Sequence, residues 1–340
     1  MLSGRALLIG FTGLLLIGCS QGSEDVQTTN AALHGGDSNK VFSFDYYVPV
    51  SHGAKLHVIE KFSGSSVHHH RGILALTGTL VTCDQYNVGV DGYNVLDRLA
   101  QHGYYAYCAT YEGYGDSSRP ADGNDVTKDR MLDEMGDIVE WARHLRHIGR
   151  MDLFGASLGS AIAFKLGGVG SPINRAHVRR VVLTANVYKA FTPGAAAAFS
   201  GLFALFHTIP GGYFTTDPSF YFPLVGTTSN DVLTWISGNW PGSYAVGPTL
   251  EGEVLPPYEA SDGRAPALQV LGSDDPITPP SDAAEFQSEY GGPYELYPLT
   301  GAGHSPYFNP VKEQFWSKVF AFLDSDSRGD GCDQGDGETE

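Results

Sequence analysis

Gly155-Ala156-Ser157-Leu158-Gly159 sets one serine between two glycines, where the apolar run Met151 to Phe154 gives way to a helical pattern of small residues. A serine at such a strand-to-helix turn is exposed and can act as a nucleophile. The pentapeptide alone carries little weight in a chain with 43 glycines. Its standing depends on whether the chain also supplies an acid and a histidine in the right order and context.

Working outward from this turn, strand and helix patterns alternate. Val41 to Val50 and Lys55 to Phe62 read as an antiparallel strand pair joined at Ser51-His52-Gly53. Gly72 to Leu76 and Tyr104 to Ala109 read as buried parallel strands, with a helical stretch from Val90 to His102 between them. Leu132, Met135, Ile138, Val139, Ala142, Leu145 and Ile148 recur every three or four positions, which makes one face of a helix ending at Gly149. After the serine turn come a small-residue helix through Leu166 and a strand from His177 to Ala185. The expected fold class is α/β, a mostly parallel central sheet with helices on both faces.

From residue 187 to about 262 the alternation stops, in a stretch rich in Phe, Tyr, Pro and Gly. That is too long for a simple connection and reads as an inserted cap with its own helices, at Ala195 to His207 and Asp231 to Ser237. Phe214, Phe220, Tyr221, Phe222, Trp235 and Trp240 supply its apolar surface. The pattern resumes with a strand at Ala267 to Leu271, a helix near Pro280 to Tyr290, a strand at Tyr294 to Pro298 and a helix from Pro310 to Leu323.

A nucleophilic serine needs a base to take its proton, and the base needs an anion to orient it. Gly272-Ser273-Asp274-Asp275-Pro276-Ile277-Thr278-Pro279 follows an apolar strand, and Gly301-Ala302-Gly303-His304-Ser305 follows the last short one. The order is Ser, Asp, His. With these motifs the chain resembles the α/β-hydrolase family (serine esterase and lipase-like) over nearly all of residues 41 to 323. Gly272, Asp275, Ile277 and Pro279 match the family's acid motif, so the resemblance implies a triad of Ser157, Asp275 and His304, with Asp274 as the alternative acid or a turn cap. Tyr111-Glu112-Gly113-Tyr114-Gly115-Asp116-Ser117 resembles the family's structural turn after its fourth strand. The family's oxyanion hole implies the backbone N–H groups of Leu158 and Thr79, where Thr77-Gly78-Thr79-Leu80 stands in place of the usual His-Gly and Leu80 is the alternative. Donors of this kind are worth about 3 kcal/mol each in other enzymes.

Arg5, the apolar stretch Ala6 to Gly18 and then Cys19 have the layout of a signal peptide over residues 1–18. Leu16-Ile17-Gly18-Cys19 resembles a bacterial lipobox, which implies Cys19 as the site of lipid attachment, a flexible tether over 19–40, and export to a periplasmic or outer-membrane face. Plain secretion is the alternative. Residues 324–340 form a disordered acidic tail carrying Cys332. Cys83 and Cys108 are either a disulfide or two buried thiols.

With 38 acidic against 21 basic side chains and a formal charge of -17, the chain would repel nucleic-acid phosphates. The partners expected are a small-molecule ester with an apolar group and, through the N-terminal lipid, a membrane. His68, His69 and His70 point different ways and make no shared metal site, so neither metal nor cofactor is expected. The resemblance implies a serine hydrolase cleaving a carboxylic ester through an acyl-enzyme. Carbon–carbon bond hydrolase, aminopeptidase, haloperoxidase and acyltransferase chemistry share the triad, and a non-catalytic surface-binding lipoprotein is the reading from another class.

Overall fold

The computed structural model describes residues 40–64, 66, 70–217, 220, 228–255 and 258–325. β1 (Val41–Pro49) and β2 (Lys55–Ser63) form the antiparallel pair expected of them, with Val41 opposite Ser63 and Pro49 opposite Lys55. β3 (Arg71–Leu76), α1 (Val95–Gln101) and β4 (Tyr104–Ala109) make the first β-α-β unit. Helix α1 starts five residues later than the apolar spacing suggests, because Asn94 caps it by accepting the Asp97 N–H at 2.9 Å. Gly92, just before, sits at φ +74° and cannot be helical.

Next come α2 (Lys128–Arg146), β5 (Met151–Ala156), α3 (Leu158–Leu166) and β6 (Val178–Thr184). Thr127 caps α2, and His147, in left-handed conformation, ends it short of Gly149. Leu145, in the last turn, is 37% exposed and does not share the buried face. The segment after β6 holds α4 (Pro193–Phe206), β7 (Tyr213–Thr215), α5 (Asn230–Asn239), β8 (Ser243–Ala245) and α6 (Gly247–Leu250). β7 and β8 pair as a small antiparallel sheet. At three residues each they are too short to show an alternation in sequence. β9 (Ala267–Gly272), α7 (Pro280–Glu289), β10 (Tyr294–Leu299) and α8 (Lys312–Leu323) complete the fold.

The main sheet has eight strands in the order β1-β2-β4-β3-β5-β6-β9-β10, parallel from β4 onward and antiparallel at the β1 and β2 edge. Side chains alternate between its faces. Leu74, Leu76 and Leu153 join Met135, Ile138, Ile162 and Phe286 from α2, α3 and α7 in one core. Ile73, Ala75 and Phe154 join Leu96, Leu99, Phe315 and Trp316 from α1 and α8 in the other. Strands buried on both faces read as near-continuous apolar runs, broken here by Asp152, Arg179-Arg180 and Gln269, which is why β3 to β6 and β9 are legible in sequence. The α/β fold expected from the sequence is the one observed.

Cys83 and Cys108 form a disulfide with Cα atoms 5.8 Å apart, which resolves the alternative left open above. The signal peptide, Cys19, the tether through Asn39, His68, His69, Tyr221, Phe222 and the tail from residue 326, with Cys332, lie outside the described residues. No helix among the described residues is long and apolar enough to cross a membrane.

Glu112, in the turn after β4, and Glu134, on α2, are both buried, and Arg130 is set against the two of them. Its Nη2 donates to Glu112 Oε1 at 2.8 Å and its Nε lies 3.4 Å from Glu134 Oε1. Burial, then the charge of Glu112, pushes the Glu134 carboxyl up to about 8 against the pull of Arg130. Between about pH 4.3, where an unfolded glutamate titrates, and about pH 8 the folded chain holds a proton the unfolded chain lacks, so this group's stabilisation is lost as pH rises through that window. Glu134→Gln, which needs no proton, is therefore expected to melt with the wild type near pH 5 and several degrees above it near pH 9. A melting difference that does not change with pH would refute the assignment.

Candidate active site

Ser157 stands between the last residue of β5 and the first of α3, with φ 52° and ψ -116°. A non-glycine residue held there is strained, by an amount on the order of 1–3 kcal/mol, and must be held by its surroundings. Its own N–H donates to the Thr184 carbonyl at 3.0 Å. The Ser160 hydroxyl reaches both the Gly155 and Thr184 carbonyls, at 2.9 and 2.8 Å, and ties the turn to β6. The two glycines of the motif have steric reasons. A β-carbon on Gly155 would lie 2.3 Å from the Gly159 carbonyl oxygen, and one on Gly159 would lie 2.0 Å from that of Leu76.

Asp275 follows β9 by three residues and is 9% exposed; His304 follows β10 by five and is 8% exposed. His304 Nδ1 lies 2.9 and 3.0 Å from the two carboxylate oxygens. A carboxylate can only accept, so the contact puts the ring hydrogen on Nδ1 and leaves Nε2 as the basic nitrogen. Asp275 Oδ1 also accepts the N–H groups of Ile277 and Thr278, at 2.8 and 3.1 Å. Burial of Asp275 works to raise its pKa, but His304 and these two N–H groups outweigh it and hold the carboxyl below its ordinary value. Asp274 is exposed, with the neighbouring Ser273 hydroxyl at 2.8 Å, and does not meet the histidine.

The loops carrying acid and histidine are locked together through backbone. Ser273 N–H donates to the Leu299 carbonyl and Asp274 N–H to that of Ala302, both at 2.9 Å. A β-carbon on Gly272 would lie 2.2 Å from the Ala302 carbonyl oxygen, which accounts for glycine at the head of the acid motif.

Of the three N–H groups after Thr77, two are committed. Gly78 N–H donates to Gln85 Oε1 at 2.7 Å, and Leu80 N–H points to the Tyr114 hydroxyl at 3.5 Å. Among the described hydrogen bonds the N–H groups of Thr79 and Leu158 have no acceptor. Both residues line one cavity of about 90 Å³ with Ser157. Gln85 is a contributor that sequence reading missed: its other end, Nε2, donates to the Tyr307 hydroxyl at 2.8 Å, joining the Gly78 loop to the turn after His304. A lone buried glutamine carries no sequence signal of such a bridge.

The cavity wall is mostly aromatic and aliphatic, with Phe191, Phe199, Phe203 and Leu255 from the segment after β6. These are not the aromatics singled out from the sequence. Trp240 is buried against Phe308, Phe214 packs on Phe206, and Phe220 lines a separate apolar groove of about 570 Å³ along α4 that also touches Pro276 and Ile277. Asp275 and His304 are not in the lining of the Ser157 cavity, and no described hydrogen bond joins Ser157 to His304. Nucleophile and base often tighten only around a bound substrate.

Residues 85–314 match a model of the alpha/beta hydrolase family, a span that takes in Ser157, Asp275 and His304 and leaves Thr79 outside. Among solved structures the chain is similar to an alpha/beta hydrolase fold protein from Chitinophaga pinensis, with 17% identity over 83% of this chain and 97% of that one and a TM-score of 0.58. It is also similar to an esterase from Exiguobacterium antarcticum, with 18% identity over 82% and 98% of the two chains and a TM-score of 0.59. A thioesterase domain from the curacin biosynthetic pathway matches at 13% identity over 82% and 99%, with a TM-score of 0.58. At these identities the likeness is one of fold. No curated protein matches the sequence.

Proposed function

Since this chain belongs to the alpha/beta hydrolase family, its model covering the three residues named above, we propose that it is a serine hydrolase that cleaves a carboxylic ester through an acyl-enzyme. Ser157 Oγ attacks the carbonyl carbon while His304 Nε2 takes its proton, and Asp275 holds the imidazolium that results. The oxyanion receives the N–H groups of Leu158 and Thr79. His304 then returns the proton to the departing alkoxide, and a water activated by the same nitrogen releases the acid and restores Ser157.

The observation that carries this reading is the pair of N–H groups, Leu158 and Thr79, that have no acceptor among the described hydrogen bonds, in the cavity of a serine held at positive φ. Backbone donors left without an acceptor in the lining of a cavity beside a serine suit a developing oxyanion as their partner. Esterase and thioesterase are the names of two of the similar structures, and acyl transfer to water is the reaction class proposed here. The segment over 187–262 acts as a cap whose phenylalanines hold the apolar part of the ester. The site of action is proposed to be outside the cytoplasm, on a membrane through Cys19; the Cys83–Cys108 disulfide suits an oxidising compartment.

A fluorophosphonate probe tests the proposal. It should label the wild type at Ser157, and a panel of p-nitrophenyl esters should be turned over faster than aminoacyl amides or vinylogous diketones. No labelling, or activity on the diketones alone, would overturn it. Gln85 enters as a positioning residue. Gln85→Leu is expected to lower kcat by about ten- to a hundredfold with KM little changed, since a small misplacement of oxyanion donors costs that much. Gln85→Glu, which still accepts from Gly78, should restore most of it. Equal loss in both variants, or a change in KM alone, would contradict the role.

A further inference from the structure

Among the described residues lining the Ser157 cavity one is charged, Lys128, the first residue of α2. Its backbone N–H is used by Glu251 Oε2 at 2.7 Å, but among the described contacts its ammonium has neither a hydrogen bond nor an ion pair. Two carboxylates stand near it without pairing directly with the ammonium among the described contacts: Asp129, which pairs with Lys165 at 3.6 Å, and Glu251, whose Oε2 accepts the Lys128 amide. Behind Lys128 lies a second cavity, of about 280 Å³, lined by Lys165, Asp129, Glu251 and Tyr258. Lys128 thus stands where an apolar cavity meets a polar one. Burial lowers its pKa, Glu251 and Asp129 oppose that, and Lys165 adds to it. A half-buried ammonium with no direct hydrogen-bond acceptor among the described contacts gains by accepting an anion that supplies one.

We infer that Lys128 recognises a carboxylate at the far end of the acyl chain, so that the preferred substrates are half-esters of diacids whose middle is apolar. The inference rests on the serine-hydrolase reading of the same cavity. The phenylalanine walls take the methylenes, Ser157 takes the ester carbonyl, and the distal carboxylate accepts from Lys128 Nζ. Hydrolysis adds one water across the acyl C–O bond and leaves a diacid and the free alcohol. A chain of net charge -17 should otherwise disfavour an anionic ester, so a preference for one needs a local cation.

The experiment compares mono-p-nitrophenyl adipate and pimelate with the p-nitrophenyl esters of hexanoic and heptanoic acid, in the full chain and its Lys128 variants. The wild type should favour the half-esters in kcat/KM by about tenfold, the size of one charge-assisted hydrogen bond. In Lys128→Met the ratio should fall to one or below, in Lys128→Glu lower still, and Lys128→Arg should keep it. Reading the ratio cancels any general loss of activity. A wild-type ratio at or below one, or a ratio unchanged in Lys128→Met, overturns the inference while hydrolysis of the neutral esters leaves the serine-hydrolase reading standing. Failure to cleave either ester, with no probe on Ser157, overturns both.

Discussion

Ser157→Ala is expected to lose fluorophosphonate labelling altogether and to lower ester turnover by about 10⁴-fold or more, because no other group takes over the covalent step. The fold should survive the change. Ser157 Oγ makes no described hydrogen bond, and the turn is held by the Ser157 N–H and by the Ser160 hydroxyl, both of which remain. A sharper form of the same test is Ser157→Gly. At φ 52° a serine is strained and a glycine is not, so this variant should lose activity and yet melt at or above the wild-type temperature. Turnover in either variant within tenfold of the wild type would remove Ser157 from the chemistry. A glycine variant that melts well below the wild type would show that the turn is not strained.

Asp275→Asn is expected to lower kcat by about 10⁴-fold with little change in KM. Asparagine fits the same space, and its oxygen can still accept the Ile277 and Thr278 N–H groups. Its NH₂ takes the place of Oδ2, 3.0 Å from His304 Nδ1, and a donor there favours the ring hydrogen on Nε2, which leaves no free base for the serine. The variant should also be less stable at neutral pH. The folded-state pKa of Asp275 is depressed, so its stabilisation is present above the unfolded value of about 3.9 and is lost as pH falls through the folded one. The melting-temperature gap between wild type and Asp275→Asn should therefore narrow below about pH 3.9. Asp274→Asn, at the exposed neighbour, serves as the control and should change neither rate nor stability. A large rate loss there, with Asp275→Asn active, would reverse the two aspartates.

Ser157 and Asp275 were legible because each is announced by glycines with a local steric reason, and His304 by its glycine-rich motif after the last strand. Gly155, Gly159 and Gly272 stand where a β-carbon would collide with backbone, so the motif records a close approach. The loop after β3 was less legible. Thr79 and Leu80 look alike as donors in sequence, and they differ only because the Tyr114 hydroxyl, which comes from a loop after β4, takes up the Leu80 N–H. Gln85 and Lys128 carried no signal, since a glutamine bridging two loops and a lysine lining a cavity have the same neighbours in sequence as ordinary surface residues.

The segment over 187–262 shows the same division. Its aromatic content was evident, yet Phe191, Phe199 and Phe203 line the Ser157 cavity, while Trp240 and Phe214 serve packing. The sequence by itself determined the order of the main-sheet strands with the helices between them and the residues of the three motifs, because apolar periodicity and glycine sterics act over a few neighbouring positions. Only the tertiary structure decided which amides are left without acceptors, which aspartate meets the histidine, that Cys83 joins Cys108, and which side chains wall the cavity. Those outcomes depend on groups tens of residues apart meeting across the ends of parallel strands, and no local pattern encodes such a meeting.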